Sequence, residues 1–148
     1  MTAPFRFNRL IPEFYVSDLG RSLRFYTDVL GFEVEYTRSD PPFALLSYQG
    51  SQLMIQETRP DDMHTGALEH PYGRGVNLQI DSDDIDELVR ALQAENYLLR
   101  KEPAEYWRRI AGGALAGTRE FQVLDPDGYY LRFAQDLGQR KSSGPTLT

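Results

Sequence analysis

One order of elements is used twice in this chain. Residues 10–16 (LIPEFYV) read as a strand, and Ser17-Asp18 then offers side-chain oxygens to the free first-turn amides of a helix. Leu19, Leu23, Tyr26 and Leu30 form the apolar stripe of that helix, and Gly31 is placed to end it. Three short strands follow near residues 32–38, 43–48 and 52–57, with Pro41-Pro42 and Gln49-Gly50-Ser51 as breaks. The second half repeats the order. Residues 76–81 read as a strand, Ser82-Asp83-Asp84 as helix caps, and Ile85, Leu88, Val89 and Leu92 as an apolar stripe that fades near Glu95-Asn96. Strands are predicted near residues 97–101, 119–124 and 129–134. The segments YVSDLGRSLRFY and QIDSDDIDELVR correspond with one inserted residue. Such a repeat constrains architecture more than any single motif, and it predicts an α+β chain of two βαβββ modules.

The repeat sets the organisation: one domain over residues 1–148, with module one at 8–59, a polar linker at 60–73, module two at 74–136 and a tail at 137–148. The tail reads as poorly ordered unless a partner subunit holds it. Residues 102–118 (EPAEYWRRIAGGALAGT) read as a long Gly/Ala-containing loop inside module two. Loops of that length in a compact domain are often functional.

Hydrophobic residues make up 41% and charged residues 26%, ordinary for a soluble globular protein. No apolar run approaches the roughly 18 residues of a membrane span, and the N-terminus lacks the pattern of a signal peptide. A cytoplasmic protein with no membrane partner follows by default. Without cysteine there is no disulfide, thiolate metal site or thiol nucleophile. The net charge of −6 comes with no run of Lys and Arg, which argues against nucleic acid as a partner. The surplus of carboxylates would tolerate a cationic ligand.

Side chains alternate along a strand, so every strand has two faces. One set is apolar and is assigned to the helix side: Pro12, Phe14, Val16, Leu53, Ile55, Val76, Leu78, Ile80, Phe121, Val123, Leu131 and Phe133. The opposite set mixes amide, aromatic and long side chains: Glu13, Tyr15, Met54, Gln56, Asn77, Gln79, Glu120, Gln122, Tyr130 and Arg132. A merely solvated face would carry more Lys and Glu. This mixture suits a concave pocket in which a few directed polar groups fix a small-molecule ligand.

The segments VSDLGRSLRFYTDVLGFEVEY and REFQVLDPDGYYLRF resemble the glyoxalase/bleomycin-resistance/dioxygenase (vicinal oxygen chelate) superfamily, over about residues 10–135. The turn Asp125-Pro126-Asp127-Gly128 has its own mechanism, since Pro presets φ, Asp bonds nearby amides and Gly accepts positive φ. The resemblance implies curved mixed sheets enclosing a concave cleft. It is closest to the bleomycin resistance proteins, notably at Arg119-Glu120-Phe121, and so implies a homodimer that sequesters a bleomycin-type cationic antibiotic without chemistry or cofactor. The superfamily's enzymes, which include glyoxalases and dioxygenases, instead hold a divalent metal through His and Glu.

Carried over one position at a time, the metal-ligand sites of those enzymes fall on Ile11, Met54, Gly75 and Arg132. None of these binds a hard or borderline cation well, so the resemblance implies no metal here. A one-residue slip would change the second position most, since Glu57 sits nearby, but it would not restore the histidines. The two histidines, His64 and His70, sit in the linker without the spacing of a metal pair and read as exposed. That leaves Glu13 and Glu120 as the acid/base groups of a metal-free enzyme, the alternative to a binding protein, and a carboxylate there fits ion pairing with Arg132 equally well. Characterised resistance proteins carry a drug-stacking tryptophan where Ala116 stands here. Trp107, the single tryptophan, either stacks a planar ligand from the 102–118 segment or plugs that segment onto the domain or a subunit interface.

Overall fold

The computed structural model describes residues 3–141. Two four-stranded mixed sheets carry the fold, with strand orders β1-β4-β3-β2 and β5-β8-β7-β6. The first contains β1 (Glu13–Val16), β2 (Glu33–Ser39), β3 (Pro42–Tyr48) and β4 (Ser51–Glu57). The second contains β5 (Asn77–Asp81), β6 (Lys101–Arg109), β7 (Ala114–Leu124) and β8 (Tyr130–Lys141). Each sheet pairs its first strand in parallel with its last and is otherwise antiparallel. The repeat read from the sequence is therefore a repeat of topology.

The chain divides into two compact units: residues up to Arg74 together with Asp125–Tyr129, and Gly75–Leu124 together with residues from Tyr130 onward. The tip of the β7–β8 hairpin is thus grouped with the first unit. Its chemistry explains why. Asp127 accepts from the Ser17 amide at 2.9 Å and from Arg21 at 2.9 Å, while Asp125 accepts from the Tyr26 hydroxyl at 2.8 Å. Asp125 also takes the amides of Asp127 and Tyr129, each at 2.9 Å, which closes the turn. Gly128 has φ +95°, and a Cβ there would meet Pro71 Cα at 2.5 Å, so no other residue fits.

Both helices start as their caps require. Asp18 accepts from the Arg21 amide at 3.0 Å to open α1 (Leu19–Leu23), and Asp84 accepts from the Glu87 amide at 3.2 Å to open α2 (Ile85–Ala94). The stripe Ile85, Leu88, Val89 and Leu92 is buried as expected, and α2 packs on β7 and β8. The first stripe is shifted. From Arg24 to Val29 the helix widens to π geometry, with the Leu30 amide reaching the Phe25 carbonyl at 3.1 Å. The wider turn sends Ser22, Phe25, Tyr26 and Leu30 inward and leaves Leu19 and Leu23 half-buried.

Several expectations are corrected. The first strand begins at Glu13 and not at residue 10, and Val76 lies outside β5 with 61% of its surface exposed, so it is not a helix-side residue. Pro12 and Leu78 are only half-buried. The strand expected at 97–101 starts at Lys101, and the 102–118 segment is no loop: β6 and β7 pair as an antiparallel ribbon around a turn at Ala111–Gly113. Gly112 and Gly113 turn it with φ of 77° and 76°. Pro103 is tolerated because β6 is the sheet's edge and is bulged between Lys101 and Ala104. Tail residues 137–141 are also strand, since β8 continues along Ala114–Gly117 of β7. The rest of the tail, 142–148, lies outside the described residues.

Candidate functional site

The second sheet brings most of the expected residues onto one face. The register pairs Asn77 with Tyr130, Gln79 with Arg132, and Arg132 with Gln122. Paired residues share a face, so the alternation read from sequence holds here. Glu120 shares the face and is buried, at 3% exposure. Its Oε1 accepts from Arg132 at 3.1 Å, and its Oε2 accepts from Arg108 at 2.7 Å and from the Thr118 hydroxyl at 2.6 Å. Burial raises the pKa of Glu120, but the bonds from Arg108 and Thr118 and the charges of Arg108 and Arg132 outweigh it, holding the group below the ordinary carboxylate value.

Arg132 is spread over three acceptors. Besides Glu120, its Nε donates to Asn77 Oδ1 at 2.8 Å and its Nη2 to Gln79 Oε1 at 3.2 Å. Arg100 donates to Gln122 Oε1 at 2.7 Å and lies 4.4 Å over the Tyr130 ring. Arg108 and Lys101 lie 4.6 and 5.0 Å over Tyr106. Arg100, Lys101, Tyr106, Arg108 and Thr118 were not expected at this face. The aromatic and charged side chains of EYWRR were the available signal, masked by the Gly and Ala that follow.

In the first sheet Glu13, Tyr15, Met54 and Gln56 share a face, with Glu13 paired to Met54 and Tyr15 to Gln56. Here β3 adds Leu45 opposite Met54 and Phe43 opposite Gln56, both buried, so the centre of this face is apolar. Tyr36 lies beside Phe43 at 5.9 Å, and Phe5 and Phe7 both meet Tyr36 edge-on at 6.3 Å. Gln52 clamps this N-terminal segment, donating to the Arg6 carbonyl at 2.9 Å and accepting from the Asn8 amide at 2.8 Å. His64 is not a free loop histidine: it is half-buried, meets Tyr15 edge-on at 4.5 Å and pairs with the Thr58 hydroxyl at 2.8 Å.

Trp107 lies on the other face of its sheet. It pairs with Gly117, in phase with Arg119 and Phe121 and out of phase with Glu120 and Gln122. A Cβ on Gly117 would meet the Trp107 ring at 2.6 Å, and the Arg140 guanidinium lies over the ring at 4.0 Å. The tryptophan therefore plugs its own ribbon, and as a wall for a ligand on the Glu120 face it is misplaced.

The donors do not suit a divalent metal. Ile11 is aliphatic, Met54 offers a thioether, Gly75 has no side chain, and Arg132 is a cation bound to three acceptors. Glu57 does not substitute, because it belongs to the helix side and accepts from the Leu19 amide at 3.0 Å. Among the described residues no group of three His, Asp or Glu side chains is arranged to hold a metal.

The sequence matches the model of the Glyoxalase/Bleomycin resistance protein/Dioxygenase superfamily over residues 6–133. It is 28% identical over 133 residues to the lactoylglutathione lyase of Haemophilus influenzae, covering 87% of this chain and 93% of that one. The fold is similar to that of TioX from Micromonospora sp. ML1, with a TM-score of 0.64, 18% identity, and coverage of 88% of this chain and 99% of that chain. It is also similar to TnmS3, an antibiotic binding protein from Streptomyces sp. CB03234, with a TM-score of 0.58, 18% identity, and coverage of 85% and 93%.

Proposed function

The chain belongs to the glyoxalase/bleomycin resistance protein/dioxygenase superfamily, and we propose that within it this protein sequesters a small molecule without transforming it. One observation carries the reading: the residues at the metal positions, Ile11, Met54, Gly75 and Arg132, form no donor set, and Arg132 is engaged elsewhere. The proposed ligand-binding residues are Glu13, Tyr15, Met54 and Gln56 on the more apolar face of one sheet, and Asn77, Gln79, Glu120, Gln122, Tyr130 and Arg132 on the amide-rich face of the other. The protein is proposed to act as a cytoplasmic homodimer, as the resemblance to resistance proteins implies. No helix among the described residues is long and apolar enough to cross a membrane.

A bleomycin-type cationic antibiotic is the ligand which that resemblance puts forward. It would need an available carboxylate, and Glu120 is already matched by two guanidinium groups. Exposed Glu13 is then the acidic group of these faces left to receive it. The likeness to lactoylglutathione lyase supports a second reading, an enzyme with an altered site.

Calorimetric titration of metal-stripped protein with bleomycin, beside a lactoylglutathione turnover assay with Ni, Mn, Fe or Zn, separates the two. Binding without turnover, and no thermal stabilisation by any metal, is the expected result. Turnover restored by one metal would remove the sequestration reading. Light scattering at micromolar concentration should give a dimer, and a monomer would remove that part of the proposal.

A further inference from the structure

On the second sheet, the amide oxygens have turned toward arginine. Asn77 Oδ1 and Gln79 Oε1 accept from Arg132, and Gln122 Oε1 accepts from Arg100. An arginine has no acceptor atom, so these partners settle which way each amide points. The groups left over are donors: the amide nitrogens of Asn77 and Gln122, and the remaining N–H groups of Arg132, Arg108 and Arg100.

The buried acceptor on the same face is matched. Glu120 is buried and bound to Arg132, Arg108 and Thr118. Asp81, at the end of β5, and Asp136, at the bulge in β8, are exposed; they accept from the Gln79 amide nitrogen at 3.2 Å and from the Gly138 amide at 2.8 Å. Arg132 keeps 24% of its side chain exposed and Arg108 keeps 52%, so both guanidinium groups remain accessible. The rings of Tyr106 and Tyr130 lie under the neighbouring cations Arg108, Lys101 and Arg100.

We infer that this face binds an oxyanion, a carboxylate or phosphoryl group on a small organic molecule, through Arg132 and Arg108, with the tyrosine rings flanking the organic part. The inference rests on the reading that the amide-rich face takes the ligand, and it deepens that reading by giving the ligand's charge. A face of donors recognises acceptors, and planar guanidinium groups match the oxygens of carboxylate and phosphate. Glu120 acts here as a positioning residue: two of its bonds hold the guanidinium groups side by side, and its own charge is already balanced.

The test uses phenyl phosphate as an aromatic oxyanion, benzamidine as a planar cation and inorganic phosphate alone. Calorimetry is read together with the Nε–H signal of Arg132 in nuclear magnetic resonance. Phenyl phosphate should saturate the Arg132 signal, and Arg132→Gln or Arg108→Gln should weaken binding by about 10- to 100-fold, the value of a lost charge-assisted bond. Arg108→Gln leaves Glu120 its bond to Arg132, so it reports on the site even if Arg132→Gln fails to fold. Added salt should weaken the phenyl phosphate complex in the intact protein.

Benzamidine saturating the same signal, with affinity held or raised in Arg132→Gln, would overturn the inference. A phosphate response equal in the intact protein and both variants would overturn it as well, since that marks only a diffuse ion atmosphere. Metal-dependent turnover of lactoylglutathione would remove the sequestration reading while leaving the Arg132 titration untouched. Bleomycin binding without turnover, beside phenyl phosphate binding that ignores both arginine substitutions, would do the reverse.

Discussion

The two sheets share one strand order but treat corresponding faces differently. In the first, the central strand β3 buries both faces: Ala44 and Leu46 on the helix side, Phe43 and Leu45 on the other. In the second, the corresponding strand β7 buries Phe121 and Val123 on the helix side, while Glu120, Gln122 and Thr118 occupy the opposite face. The first face is held by dispersion and burial, and the second by charge-assisted hydrogen bonds among arginines, amides and one carboxylate. A duplicated topology therefore settles where side chains point without settling what they do. Burial makes the first face costly to alter, whereas a partly exposed polar network tolerates single losses and can exchange its partners for a ligand.

The largest expected effect tests that contrast. Phe43→Ala should cost about 3–5 kcal/mol in urea denaturation, the range for emptying a buried aromatic site. Gln122→Ala, on the corresponding face of the other sheet, should cost about 1 kcal/mol. Equal losses would end the distinction between the two faces.

A second test sets buried carboxyl against buried carboxyl. Burial, outweighing the bond from Tyr26 and the amides of Tyr129 and Asp127, raises the pKa of Asp125 from 3.8 to about 6. The folded state thus holds this proton more tightly than the unfolded chain, so stability from Asp125 falls as pH rises through that window, by on the order of 3 kcal/mol. Glu120 runs the other way, since its lowered folded pKa means that its contribution is lost as pH falls through that value. Asp125→Asn keeps an acceptor for the two turn amides and should flatten the loss of stability between about pH 4 and 6. A thermal-melt profile as steep as that of the unaltered protein would refute the assignment.

Smaller effects probe the second sheet's helix side. Gly117→Ala would drive a Cβ to 2.6 Å from the Trp107 ring, so it should cost roughly 1–3 kcal/mol and redden the fluorescence of the single tryptophan. Unmoved fluorescence would mean that Trp107 does not rest on Gly117. Smallest of all, Asp86→Asn removes an exposed 2.9 Å pair with Arg119 in the first turn of α2. The loss should be under about 1 kcal/mol and should fade in high salt, as exposed pairs do. An undiminished loss at high salt would show that the pair is less solvated than its geometry indicates.

The strand periods, the caps at Asp18 and Asp84, the stripe of α2, the Asp-Pro-Asp-Gly turn and the twofold repeat were legible in the sequence by itself, because each depends on neighbours within a few residues. So was the sharing of one face by Asn77, Gln79, Gln122, Tyr130 and Arg132, since alternation along a strand needs no knowledge of its partner. Tertiary structure alone decided the rest. Residues 102–109 and 114–118 become strand because the two stretches pair with each other, and 137–141 because Ala114–Gly117 is present to receive them. The first helical stripe rotates where the turn widens at Arg24–Val29. Trp107 goes to the helix side because the ribbon's register, invisible while the segment read as a loop, sets its phase. Glu120 meets Arg132, a pairing the sequence allowed, and gains a second guanidinium because Arg108, twelve residues away, crosses the ladder to meet it at 2.7 Å. Pattern follows from the local geometry of the chain, whereas charge state and pairing depend on which distant groups the fold brings together.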